Sequence, residues 1–315
     1  MSHSPVIVVG SGSAGLTAAL YAARANMEPL LITGNELGGQ IATTTDVENF
    51  PGFPSGLTGP ELYEAMQQQA EKFGARIEID EVIDIAFGPG AQIVKTHSKE
   101  YATRTLIIAT GASPRKLGVP GENEFIGRGV SYCATCDGFF FRGKHVLVVG
   151  GGDSALQEGL FLTKYANKVD IIHRRDQLRA GAVLQARAEK NEKMGFIWNT
   201  VIESVQGNGA VKSVALKNVK TGEASEMSVD GIFVYIGHFP NTQLFRGKLA
   251  MDDQNYLIVD HNMMTSHPGV FAAGEVHDHT YRQAISSAGF GAMAAISAER
   301  YLASLEDRVP HVETW

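Results

Sequence analysis

An α/β fold is predicted by three observations. A short β-branched run breaks into a glycine-rich turn and then an apolar helical stretch at Val6 to Ala25, and the same order recurs at His145 to about Tyr165. Glycine is abundant, at 35 of 315 residues, and the length allows about two domains. Each strand, turn and helix is the unit that places a helix N-terminus against a pyrophosphate. The expected architecture is therefore two Rossmann-like, three-layer nucleotide-binding domains.

Composition excludes several classes. The net charge of −7 argues against general nucleic-acid binding. No apolar run approaches the ~18 residues that span a membrane. Met1-Ser2-His3-Ser4-Pro5 lacks the charged start and apolar stretch of an export signal, so a cytoplasmic protein is expected, with neither nucleic acid nor membrane as partner.

In the first unit, the strand Val6-Ile7-Val8-Val9 runs into Gly10-Ser11-Gly12-Ser13-Ala14-Gly15, then a helix over Leu16 to Ala25. The first glycine permits the tight turn, the second admits the phosphates, and the third lets helix pack on strand. The strand Pro29 to Ile32 ends in Thr33, not in the acidic residue that usually meets an adenosine ribose. From Gly38, Gly39 and Gln40 through Thr43-Thr44-Thr45 to Asn49 and Gly52 the chain reads as a long functional loop. Gly59-Pro60 opens a helix whose Leu62, Met66, Ala70 and Phe73 share a core face. Alternating runs follow at Arg76 to Ile85 and Gln92 to Thr96. A buried strand from Thr105 to Ala109 then ends at Thr110-Gly111, where the first domain pauses. Ala109, Thr110 and Gly111 join the expected cofactor-binding residues.

Between the two glycine turns lies Ser131-Tyr132-Cys133-Ala134-Thr135-Cys136-Asp137-Gly138, which holds the chain's only two cysteines. Two residues apart, they can close a small disulfide, and each thiol's neighbour favours thiolate near neutral pH. Asp137 adds a carboxylate able to move protons. A structural zinc site would need a second Cys or His pair at ligand spacing; His145, His173 and the other histidines are scattered, so no metal is expected. In a reducing cytosol a lone Cys-x-x-Cys is better explained as redox-active.

The second unit places Gly150, Gly152, Asp153, Ser154 and Ala155 in its turn. Its next strand, Val169 to Ile172, ends in His173-Arg174-Arg175, with Arg179 one helical turn beyond. Guanidinium forks there suit a 2′-phosphate, favouring NADPH over NADH. A helical stretch is expected from Ala182 to about Met194, then strand-like runs to Gly231-Ile232-Phe233-Val234-Tyr235 and a glycine and proline crossing at Gly237 to Thr242. Tyr256 to Val259 and Val270 to Ala273 read as strands, the second running into Gly274-Glu275, a carboxylate placed to bond cofactor hydroxyls. Arg282-Gln283-Ala284 then opens a small-residue helix to about Leu305 that completes the first domain.

Taken together, the Gly10 to Gly15 turn, Cys133 to Gly138, the second glycine turn, His173-Arg174-Arg175 with Arg179, and Tyr281-Arg282-Gln283-Ala284 resemble the low-molecular-weight, bacterial-type thioredoxin reductases, nearly end to end. The resemblance implies a discontinuous FAD domain (1–112 and 243–315), an inserted NADPH domain carrying the dithiol (113–242), and a homodimer. Gly38, Gly39, Gln40, Asn49, Gln283 and Ala284 would line the flavin. It implies electron flow from NADPH through FAD and the Cys133/Cys136 pair to a disulfide of thioredoxin or a thioredoxin-like protein, with Asp137 as acid, and rotation of the inserted domain on its two crossings. The sequence departs from the family at Glu275, where Asp is usual, which would shift the ribityl contact. The tail from Asp307 to Trp315 is a further departure; its aromatic end either lies free or folds back to bury its surface on a flavin ring or a partner. The same fold with another electron donor or another disulfide substrate, a flavin-dependent NADP reductase without dithiol chemistry, and a non-catalytic flavin-binding module are the rivals.

Overall fold

In a computed structural model the protein is described over residues 2–42, 44 and 47–305; Thr43, Thr45 and the tail ending in Trp315 fall outside the described residues. The chain divides into two compact units, Met1–Ser113 with Phe239–Trp315, and Pro114–His238.

The first unit is built on a five-stranded parallel sheet in the order Val270–Ala272, Thr105–Ile108, Val6–Val9, Leu30–Ile32, Arg76–Glu78. Its four strands other than the edge strand Arg76–Glu78 are buried and almost wholly apolar because both faces are covered. Side chains alternate across the sheet. Val6, Val8, Leu31, Ile107 and Phe271 face the helices Ser13–Arg24 and Ala284–Leu305. Ile7, Val9, Leu30, Ile32, Leu106 and Ile108 face a second sheet through Val82, Ile85, Val94 and Tyr101. That second sheet is Ser2–His3, Glu100–Thr103, Ala91–Thr96 and Val82–Gly88. Small residues let the two long helices nearly touch: a Cβ on Gly291 would lie 2.1 Å from the Ala14 carbonyl oxygen.

The second unit repeats the plan. Its parallel sheet runs Val130–Ser131, Gly231–Val234, His145–Val149, Lys168–Ile172, Met194–Ile197. Val146, Val148, Val169, Ile171 and Phe233 pack toward Ala155 and Leu162 of the helix Asp153–Leu162. Leu147, Val149, Ile172, Ile232 and Val234 pack toward Ile202, Val205, Val211, Val214 and Leu216 of the antiparallel sheet Thr200–Gly207, Val211–Asn218, Ala224–Ser228. Two three-layer α/β units are thus present, as expected. Each unit ties its own ends of the two crossings together: Asn241 N–H donates to the Gly111 carbonyl at 3.0 Å in the first, and Arg115 N–H to the Gly237 carbonyl at 2.9 Å in the second.

Four local expectations are corrected. Residues 173–181 are not helical, so Arg179 is carried on a loop, where its N–H donates to the Gly151 carbonyl at 2.7 Å. The helix after Ala182 ends at Glu189, and Met194 opens a strand, because Lys193 is tied back to the Thr163 and Ala166 carbonyls. Tyr256 to Val259 forms no strand: Leu257 makes an isolated bridge to Met251, and a turn on Asp252 holds Tyr256 N–H. Phe73 is 43% exposed rather than core; it stands after the helix Gly59–Lys72, with Arg24 and Lys72 over its ring. No described helix is long and apolar enough to cross a membrane.

Candidate active site

Parallel strands deliver their C-terminal ends to one edge, and loops leaving that edge make the crevice where α/β sheets bind ligands. In the first unit Val9 pairs in register with Ile32 and Ile108, and Ile108 with Ala272. Gly10, Thr33, Ala109 with Thr110 and Gly111, and Gly274 therefore emerge side by side. Gly10 has φ +112°, and a Cβ there would lie 2.3 Å from the Ala109 carbonyl oxygen. A Cβ on Gly15 would lie 1.8 Å from the Gly10 carbonyl oxygen. Gly12, by contrast, has room for a Cβ, with the Gly38 carbonyl oxygen nearest at 3.9 Å, and caps the helix Ser13–Arg24 without a side chain on its first amides, so these can meet a phosphate. The Gly10–Gly12 turn and the helix start at Ser13, Ala14 and Gly15 thus fit a dinucleotide.

The rest of the first-unit set converges on that edge. Ser11 Oγ donates to the Thr33 carbonyl at 3.2 Å and accepts from Gly38 N–H at 3.0 Å, anchoring the Gly38-Gly39-Gln40 loop. Gln40 Nε2 donates to Glu275 at 2.9 Å and to the Ala112 carbonyl at 2.7 Å. Burial pushes the Glu275 carboxyl up, with Gln40 and Arg282 pulling the other way. Asn49 Nδ2 donates to Gln283 Oε1 at 3.3 Å. Asp278 accepts the Thr280, Tyr281 and Arg282 amides, which shapes the turn before Ala284.

In the second unit Val149 registers with Ile172 and Val234, so Gly150, His173 and Tyr235 share one edge. A Cβ on Gly150 would lie 2.5 Å from the Tyr235 carbonyl oxygen, whereas Gly152 caps the helix Asp153–Leu162 in open space. Asp153 accepts Gly181 N–H at 2.7 Å; Ser154 is exposed and Ala155 buried. His173 is buried against Gly151, with its ring where a Cβ would lie, and burial together with Arg179, Arg175 and Arg174 pushes its pKa down. A neutral ring keeps the glycine turn from gaining a buried charge.

Arg174, Arg175 and Arg179 line one cavity of about 300 Å³ together with Asn199, Val219 and Lys220. Lys220 Nζ pairs with Asp176 Oδ2 at 2.5 Å. No spacing rule in the sequence links the arginines to Lys220, in the hairpin turn after Val211–Asn218, or to Asn199, in the connection between two strands of different sheets, about 20 to 45 residues downstream. Four cations against one carboxylate suit an anionic ligand with phosphate geometry.

Cys133 and Cys136 form a disulfide, with both residues partly buried. Val130–Ser131 runs parallel to Gly231–Val234, with Ser131 opposite Phe233, so the pair leaves the same sheet edge as Tyr235. Cys136 N–H donates to Cys133 Sγ at 3.2 Å. Ser131 Oγ accepts Cys133 N–H at 3.1 Å and donates to Asp137 Oδ2 at 2.5 Å. Asp137 is thereby oriented by the strand that precedes the cysteines. Ser131 and Tyr235, which bond the residues of the pair's own turn, and the exposed Phe139 and Phe140 after it carry no motif of their own; the phenylalanines' only signal is apolar bulk directly after the dithiol.

A family model for pyridine nucleotide-disulphide oxidoreductases matches residues 4–291. The thioredoxin reductase of Mycolicibacterium smegmatis is 49% identical over 299 residues, covering 95% of this chain and 96% of its own. That of Coxiella burnetii is 49% identical over 312 residues, covering 96% and 98%. The solved thioredoxin reductase structure from Streptococcus pyogenes is 44% identical, with a TM-score of 0.92 over 96% of this chain and 99% of that one. Family model, sequence relatives and fold agree over nearly the whole length, and the chain belongs to the pyridine nucleotide-disulphide oxidoreductase family, among its thioredoxin reductases.

Proposed function

We propose that the protein is an NADPH-dependent thioredoxin-disulfide reductase, with FAD bound in the first unit and NADPH in the second. Family membership implies a flavin and a pyridine nucleotide; when bound, they supply hydride transfer. FAD would be held by the Gly10 to Gly15 turn, the Gly38 to Gln40 loop, and Glu275 with Arg282 to Ala284. The arginine-lined cavity favours the 2′-phosphate of NADPH over the free hydroxyl of NADH.

The observation that carries the reading is the disulfide between the chain's only two cysteines, set in the same unit as that cavity. Reduction breaks the Cys133–Cys136 bond with two electrons and leaves a thiolate and a thiol. The thiolate then attacks a partner disulfide, a mixed disulfide forms, and the second cysteine resolves it, which restores the Cys133–Cys136 bond and releases the partner as a dithiol. Asp137, whose carboxylate accepts from Ser131, would supply and take the protons. Exposed Phe139 and Phe140 follow the pair in the chain and would give a protein partner an apolar footing that a small molecule would not need.

A homodimer is supported by Ile285, Met293 and Ile296, exposed along one stripe of the helix Ala284–Leu305. A cytoplasmic site fits a dithiol that must be kept reducible. The deciding assay follows NADPH oxidation on adding thioredoxin to the flavin-loaded protein. Turnover that needs thioredoxin supports the proposal; flavin reduction without thioredoxin reduction counts against it.

A further inference from the structure

We infer that Tyr235 is a positioning residue for the Cys133–Cys136 pair, its phenolic oxygen engaging the Ala134 N–H and so favouring the disulfide over the dithiol. The inference rests on the reading that this pair cycles. Ala134 stands between the cysteines and is fully buried, so water does not serve its amide. That amide donates to Tyr235 Oη.

The phenol is held firmly enough to matter. Tyr235 follows the Gly231–Val234 strand, its N–H donates to the Val149 carbonyl at 2.8 Å, and its ring packs beside the cluster of Ala134, Phe141 and Phe233. Burial first, then the Glu158 and Asp137 carboxylates that face it, hold the phenol protonated against the opposing pull of the Ala134 N–H. Tyr235 therefore acts as a neutral acceptor, not as a proton source.

The consequence has a sign. A disulfide sulfur is a weak acceptor and a thiolate a strong one. Without the phenolic oxygen, the buried Ala134 N–H is unpaired in the oxidised protein, while in the reduced protein the adjacent Cys133 thiolate can accept it. An unpaired buried donor is costly, so the loss falls mainly on the disulfide form.

The test uses the full-length, flavin-loaded protein equilibrated in mixtures of reduced and oxidised dithiothreitol. In each exchange the protein disulfide breaks and the cyclic dithiothreitol disulfide forms, with two electrons and two protons passing between them. Thiols are counted by alkylation and mass, which the flavin does not affect. Tyr235→Phe should shift the equilibrium about tenfold toward the dithiol, about 30 mV for a two-electron couple. It should also move the pH at which Cys133 becomes alkylated downward. Tyr235→Leu should shift both in the same direction. An unchanged or oppositely shifted Tyr235→Phe variant overturns the inference, as does a shift seen only with leucine, which would be a packing effect. A wild-type pair that dithiothreitol does not reduce would overturn the dithiol reading itself, and this inference with it.

Discussion

Gln40 donates one amide proton to Glu275 at 2.9 Å and the other to the Ala112 carbonyl at 2.7 Å. One side chain thus joins the loop after Leu30–Ile32 to the edge at which two other strands of the same sheet end. Glutamate has the reach for this contact; an aspartate on the same backbone would stop one methylene short.

Glu275 also sets a pH dependence. Burial raises its folded-state pKa above the ordinary carboxylate value, so its contribution to stability is complete below that value and is lost as pH rises through the folded one. The urea midpoint of Glu275→Gln should fall less than that of wild type between about pH 5 and 8. Parallel curves for the two proteins would remove the burial argument.

Two glycines of one turn should separate folding from binding. Gly15→Ala sets a Cβ against the Gly10 carbonyl and should cost about 1–3 kcal/mol, read in thermal unfolding, with loss of flavin. Gly12→Ala has room in the protein and should keep its stability while binding flavin more weakly. Full flavin content in Gly12→Ala would show that the turn does not hold the dinucleotide.

Asp137→Asn should slow the thiol steps by about 10² to 10⁴, the usual contribution of a positioned acid or base. Ser131→Ala, which frees Asp137 without removing it, should slow them less. Rapid-mixing measurement of disulfide reduction separates these steps from flavin reduction, which both variants should retain.

Much of this was legible in the sequence because strand, glycine turn and helix are local. Val6 to Gly15 and His145 to Ala155 each needed only their own neighbours, and so did Cys133 to Asp137. What was not legible depended on register. Tyr235 meets Ala134 because two strands far apart in sequence lie parallel, and Lys220 reaches the arginine cavity from a hairpin turn. Arg179 lines the same cavity as Arg174 and Arg175, but the loop from 173 to 181, fixed by the Gly151 carbonyl, brings it there and not the helical turn that the sequence suggests.

Arg175→Ala should lower kcat/KM for NADPH about ten- to a hundredfold and leave NADH nearly unchanged, since a charge-assisted contact contributes about 1.5–3 kcal/mol. Lys220→Ala should do less, because Lys220 is exposed and already paired with Asp176. An unchanged NADPH to NADH ratio in Arg175→Ala would make the cluster a solvated surface and bring another electron donor forward.

Anaerobic titration of the flavin-loaded protein with NADPH, counting electrons taken up per flavin, tests the central claim most directly. A dithiol in the circuit predicts about four electrons per flavin in wild type, and about two in Cys133→Ser and in Cys136→Ser, with thioredoxin reduction abolished in both. Two electrons per flavin in wild type, or thioredoxin reduction surviving in both variants, would contradict the account.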